Sequence, residues 1–143
     1  MHPQEAFGTE LALLSRRWRT RLDERLRHTG LTQARWTTLL LLSRGGTPVT
    51  QRELAEQAGI EGPTLVRLLD ALESQGLIER RPVDGDRRAK HVCLTGAGEA
   101  VLHDINRIVS EVRREVLAGI DAGDLDTCLR VFRAARARLE APA

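Results

Sequence analysis

The chain has 143 residues, 41% hydrophobic and 29% charged, which is ordinary for one globular domain with a respectable core. Aromatic residues make up 3%, with no Tyr, so the core must be built from Leu, Val, Ile and Ala, and packed helices are favoured over a β-sandwich. A net charge of +2 permits contact with nucleic acid without requiring it, and no apolar run approaches the roughly 20 residues needed to cross a bilayer.

The start, Met1-His2-Pro3-Gln4-Glu5, lacks the basic and apolar regions of a signal peptide. Cys93 and Cys128 lie far apart and suggest no disulfide framework. A cytoplasmic protein with no membrane partner is expected. Of the 22 basic residues only Lys90 is Lys, a bias that a GC-rich genome produces. Their distribution says more: six Arg lie between Arg16 and Arg27, and Arg80, Arg81, Arg87, Arg88 and Lys90 crowd one short segment.

Phe7, Leu11, Leu14, Trp18, Leu22 and Leu26 recur at helical spacing and predict one amphipathic helix over residues 7–28, ended by His28-Thr29-Gly30. Thr32 can cap a second helix carrying Trp36, Leu39, Leu40 and Leu42, nearly apolar all round and stopping at Gly45-Gly46. Thr47-Pro48-Val49 reads as an extended connector. Thr50-Gln51-Arg52-Glu53 is a capping box for a short helix ended by Gly59. Gly62-Pro63 opens another over 63–75, terminated by Gly76. Residues 77–81 and 90–94 read as two short strands around a polar turn at 82–88. Thr95 can cap a long helix to about residue 119, with Val101, Ile105, Ile108, Val112, Val116 and Ile120 on its stripe. Asp121 and Asp124 start the last helix, striped by Leu125, Cys128, Leu129, Phe132, Ala135 and Leu139.

Helix, tight turn, helix and basic hairpin, in that order over residues 50–95, form the layout of a winged helix-turn-helix, which sets one helix in the DNA major groove and a β-loop beside it. In the helix 63–75, Leu65, Leu68, Leu69 and Leu72 point inward. Thr64, Arg67, Ala71 and Ser74 share the opposite face. Thr64 can contact a base or a phosphate, and Arg67 can fork onto guanine O6 and N7. Any surface helix can show a polar face with one Arg, so the hairpin decides. Arg87 and Arg88 at its tip suit a narrow minor groove, with Asp86 expected to pin a neighbouring guanidinium. His91, beside Lys90, is either a phosphate neighbour or a plain exposed strand residue.

These segments carry a resemblance. Leu31-Thr32-Gln33-Ala34-Arg35-Trp36, Gly59-Ile60-Glu61-Gly62-Pro63-Thr64-Leu65-Val66-Arg67, Gln75-Gly76-Leu77-Ile78 and Asp86-Arg87-Arg88-Ala89-Lys90-His91-Val92-Cys93-Leu94-Thr95 resemble the MarR family of transcriptional regulators, and within it the SlyA branch. The likeness runs over almost the whole chain. It implies a mainly α fold: a single domain over 1–143, with a winged helix-turn-helix lobe at 31–95 and helical dimerisation regions at 7–30 and 96–140. It also implies a bacterial, nucleoid-associated homodimer that straddles a pseudo-palindrome in double-stranded DNA. The DNA-binding residues would be Pro63, Thr64, Arg67, Ser74, Arg87, Arg88 and Lys90, with Asp86 orienting the wing.

The resemblance further implies release of DNA by an aromatic carboxylate such as salicylate, at positions that include Arg16, Trp36 and Arg67. A guanidinium fork suits a carboxylate and an indole suits a ring, although a Trp on an apolar helix is more often plain core. Redox sensing is disfavoured: there is no Cys before residue 93 and no Tyr to support one. His2, His28, His91 and His103 have no metal-ligand spacing, so neither metal nor cofactor is expected. The rival reading is an architectural protein that coats DNA with low specificity. Catalysis is not expected, because no nucleophile–base motif or phosphate-binding glycine loop is present.

Overall fold

The computed structural model describes residues 1–44 and 48–143, so the expected helix stop at Gly45-Gly46 and the first residue of the connector, Thr47, lie outside the described residues. The chain divides into two compact units, residues 1–112 and 113–143.

Helix α1 spans Pro3–Arg25, beginning four residues before its first stripe residue. The early start has a local cause. The Gln4 N–H donates to His2 Nδ1 at 3.2 Å, the His2 N–H donates to a Glu5 carboxylate oxygen at 3.1 Å, and Pro3 opens the helix. That polar first turn carries no apolar period to reveal it. The chain tightens into a 3-10 turn at Arg27–Thr29 and reverses at Gly30, where φ is 71°. Helix α2, Gln33–Arg44, follows the Thr32 hydroxyl, which accepts from the Arg35 N–H. Trp36, Leu39, Leu40 and Leu42 are buried. So is Thr38, whose hydroxyl donates to the Ala34 carbonyl.

The extended connector proves to be part of a sheet. Strand β1, Val49–Thr50, pairs antiparallel with β3, Asp86–Leu94, which also pairs with β2, Ile78–Val83, giving the order β1-β3-β2. Between β1 and β2 come α3, Gln51–Ala58, and α4, Gly62–Ser74. The Thr50/Glu53 capping box forms as the sequence predicts. Leu65, Leu69 and Leu72 of α4 are fully buried, and Leu68 is half-buried. The result is a mainly helical winged helix-turn-helix with a small antiparallel sheet.

The polar turn expected over residues 82–88 shrinks to Asp84-Gly85, with Gly85 at φ 82°. Pairing instead runs on through exposed polar residues, with an irregularity at Pro82/Val83 that leaves Arg87, Arg88 and Ala89 without register partners. Polar composition had the look of a loop, but exposed strand edges are polar too.

Helix α5 spans Gly96–Val116 and closes the core of the first unit with Leu102, Ile105, Ile108, Val109 and Val112. Its start is locked to the end of α4. The Thr95 hydroxyl donates to the Gly76 carbonyl at 2.6 Å and accepts from the Gly98 N–H at 3.0 Å, while the Thr95 N–H donates to the Leu77 carbonyl at 3.1 Å. A Cβ on Gly98 would overlap the Leu77 carbonyl. Further along, Asp104 accepts from His28 at 2.6 Å and from Arg107, while Glu111 accepts from Arg107 and pairs with Arg25 at 3.6 Å. This chain of charges ties α5 to the end of α1 and the turn after it. His28 and then Arg107 hold the Asp104 carboxyl below the usual carboxylate range.

In the second unit, Asp121 caps α6, Ala122–Glu140, by accepting from the Gly123 N–H. No residue of α6 is buried; Leu129 is 45% exposed and Leu139 86%. No helix of the described residues is long and apolar enough to cross a membrane.

Two stability predictions follow from these contacts. Gly98→Ala should cost about 1–3 kcal/mol through overpacking, whereas Gly8→Ala, in open space within α1, should gain about 0.5–1 kcal/mol; urea titrations check both. Because the Asp104 pKa is depressed in the folded state, its stabilising effect is present above the ordinary carboxylate value and lost as pH falls through the folded value. Asp104→Asn should therefore lower stability by about 1 kcal/mol at neutral pH, and the gap to the native chain should close in acid. Thermal melts across a pH series measure that gap.

Candidate nucleic-acid interface

The reversal between α3 and α4 depends on Gly59, which is left-handed at φ 65° so that the Ile60 N–H can reach the Ala55 carbonyl. Glu61 precedes α4 and its side chain makes no capping hydrogen bond to the first N–H groups of the helix. Pro63, Thr64, Arg67 and Ser74 are all exposed on α4, and Ala71 is half-buried among them. Arg67 has no ion pair among the described residues.

The basic residues of the hairpin separate into two groups. Arg80 turns inward, its side chain only 18% exposed. It donates to Asp70 and to Glu73 (2.9 Å), both on α4, and reaches Gln51 on α3, while its own N–H donates to Glu73 at 3.0 Å. These bonds lower the Glu73 pKa and raise that of Arg80. Arg81 pairs with Glu79 across two residues of the same strand at 2.8 Å. Arg87, Arg88 and Lys90 remain exposed on β3, with no ion pair among the described residues. Contrary to the expectation from the sequence, Asp86 pins no guanidinium among the described residues. Its carboxylate accepts from the Arg88 backbone N–H at 3.0 Å, a short Asx-type bond that shapes the strand rather than a side chain. A concavity of about 920 Å³ brings Arg88 and Lys90 of β3 together with Arg52 of α3 and Gly62 and Val66 of α4.

Comparison with known proteins agrees with this geometry. The MarR family model matches residues 29–89. Over 94% of this chain and 98% of the other, the sequence is 53% identical to the transcriptional regulator PA3341, whose crystal structure superposes with a TM-score of 0.86. The chain belongs to the MarR family. Like other members, it is a transcriptional regulator and not an enzyme. Staphylococcus aureus MarR, solved in complex with salicylate and kanamycin, shares the fold at 22% identity and a TM-score of 0.87, covering 96% of this chain and 94% of that one. A mutant MarR from E.coli, complexed with operator DNA, does so at 24% identity and a TM-score of 0.81, covering 91% and 93%.

Within this MarR-family chain, no cavity among the described residues is lined by Arg16, Trp36 and Arg67 together. Arg16 is exposed on α1 and borders an open cavity of about 510 Å³ with Arg19, Asp23 and Gln33; neither Trp36 nor Arg67 lines it. Trp36 is buried in the core, and its Nε1 has no hydrogen-bond partner among the described residues. Cys93 is half-buried and Cys128 exposed. The sequence reading missed Arg80 as an internal partner and β1 as a strand. Only the first had a signal: Asp70 and Glu73 sit three apart on one face of α4, across from a strand rich in Arg.

Proposed function

We propose that this MarR-family regulator, of the SlyA-like branch, acts as a homodimer on a pseudo-palindromic operator in double-stranded DNA. One observation carries the reading: on the lobe at 31–95, Arg80 and Arg81 are consumed internally, while Arg67, Arg87, Arg88 and Lys90 stay exposed without ion pairs among the described residues. Four unneutralised cations on one recognition helix and one wing suit phosphates and base edges. Arg67 reads guanine, helped by Pro63, Thr64 and Ser74. Arg87, Arg88 and Lys90 engage the backbone and minor groove, and Asp86 shapes the wing through the Arg88 backbone.

The regions 7–30 and 96–140 serve dimerisation. Leu11, Leu14, Ile120, Leu129 and Leu139 are exposed in a single chain, and burial against a second copy would remove this apolar surface from water. Two lobes related by a two-fold axis would meet half-sites about one helical turn apart. The protein would work in the cytoplasm, at the nucleoid. An aromatic carboxylate such as salicylate would weaken DNA binding; the unpartnered Trp36 Nε1 and the exposed Arg16 support a ligand that engages both. Since one chain does not gather Arg16, Trp36 and Arg67, the crevice would be completed only in the dimer.

Selection of bound genomic fragments, followed by titration against scrambled DNA, should return a pseudo-palindrome preferred by about 10³-fold or more. Tight, salt-sensitive binding without any motif would favour an architectural, low-specificity role instead. Arg67→Ala should cost about 1–3 kcal/mol at the selected site and relax one base pair, and Arg87→Ala should reduce the salt slope by about one per lobe. Salicylate should lower affinity for the selected fragment and shift tryptophan fluorescence. A fluorescence change that survives Trp36→Phe would remove Trp36 from the ligand site.

A further inference from the structure

The outer face of α4 poses an electrostatic problem for a recognition helix. Its charged residues are Arg67, Asp70 and Glu73, one cation against two carboxylates, and both carboxylates are substantially exposed. Asp70 lies one turn from Arg67 on the same side of the helix. Presented to a polyanion, such a face is net negative. Arg80 changes that balance from outside the helix, placing one guanidinium on both carboxylates while its backbone N–H fixes Glu73 a second time.

We propose that Arg80 is a positioning residue for DNA recognition: an internal counter-ion, supplied by the wing, that offsets one of the two negative charges of Asp70 and Glu73, so that together with Arg67 the recognition-helix face is neutral instead of net negative. The inference rests on the DNA-binding reading above. It treats Arg80 as acting through charge on α4, with no contact to DNA of its own. The geometry favours this role over that of a phosphate ligand, because the side chain is mostly buried and both of its terminal nitrogens already donate to Asp70, Glu73 and Gln51. It also gives the carboxylates a purpose. They hold the wing root against the helix, and the guanidinium weakens the repulsion they would otherwise exert.

Fluorescence anisotropy with the selected duplex and a scrambled one, beside thermal melts, tests the assignment. Arg80→Gln should weaken binding to both duplexes by about tenfold near 0.1 M salt, and the loss should shrink as salt screens it. Adding Asp70→Asn and Glu73→Gln to that variant should recover most of the affinity, because the repulsive charges go with their counter-ion. Asp70→Asn with Glu73→Gln in the native background should bind at least as tightly as the native chain.

Loss of affinity in this double variant, at unchanged melting temperature, would show that the clamp works by shape and overturn the proposal. So would native-like binding by Arg80→Gln. If Arg80→Gln fails to fold, the double variant, which keeps Arg80, still decides. Absence of DNA binding by the native chain would instead sink the functional reading, and this inference with it.

Discussion

The joint between Gly76-Leu77 and Thr95-Gly98 is the constraint on which the rest of the first unit depends. At this point α4 ends, β2 begins and α5 leaves the sheet, so three elements must share one small volume. Gly76, left-handed at φ 75°, turns the chain so that Ile78 can enter the sheet. The Thr95 hydroxyl bonds both ways, donating to the Gly76 carbonyl and accepting from the Gly98 N–H at the start of α5. Gly98 lets the α5 backbone close onto Leu77 where any side chain would intrude. The orientation of the helix-turn-helix relative to the first half of α5 therefore rests on two hydrogen bonds from one hydroxyl and the absence of one methyl group. Apolar burial by Leu69, Leu72, Ile78, Val92 and Ile105 supplies the bulk of the driving force, but burial is not directional. The joint selects among the many ways those side chains could pack.

Much of this arrangement was legible in the sequence because the signals were local. Thr50 with Glu53 and Thr95 before α5 each satisfy backbone groups within three residues, and Pro63 after Gly62 lacks the N–H that would otherwise be an orphan donor, so composition and spacing sufficed. The apolar stripes of α2, α4 and α5 likewise announce which side is buried. The misses were of two other kinds. The extra turn at the start of α1 is polar and solvent-facing, so periodicity had nothing to detect. The third strand is two residues long, and its existence depends on Val92 and His91, some forty residues away. Nothing near Val49 encodes that pairing beyond the strand propensity of a β-branched residue.

The candidate site was legible to the level of segments and less so to the level of side chains. Exposure of Thr64, Arg67 and Ser74 follows from helical geometry alone and agrees with the structure. The hairpin does not yield in the same way, because the direction of an Arg side chain is decided by its partners. Asp86 looked like a neighbour for a guanidinium; with the chain folded into a tight turn, its carboxylate lies closer to a backbone N–H two residues on, the nearest unsatisfied donor. Arg80 looked like one more member of a basic cluster. Its strand pairs at Val92, inside the sheet, and the helix packed beside that strand offers two carboxylates within reach.

That sorting also explains why bulk charge says so little about this protein. A net charge of +2 spread over 143 residues gives no strong far field, and most of the Arg excess lies outside the lobe that resembles a DNA reader. What matters to a polyanion is which cations have no competing carboxylate. Exposed ion pairs contribute little to folding, so evolution can pair or unpair surface arginines at small cost in stability. The same freedom makes the pairing pattern a better guide to the binding face than the number of basic residues. Arg81 and Arg88 are seven residues apart, of the same type and on the same hairpin. Glu79 lies on the same strand face as Arg81 and takes up its charge. Asp86 occupies the same relation to Arg88, two residues before it, but its carboxylate accepts from the Arg88 main chain and not from the guanidinium. One local choice of hydrogen-bond partner thus leaves a guanidinium exposed beside the groove that runs between the wing and the start of α4.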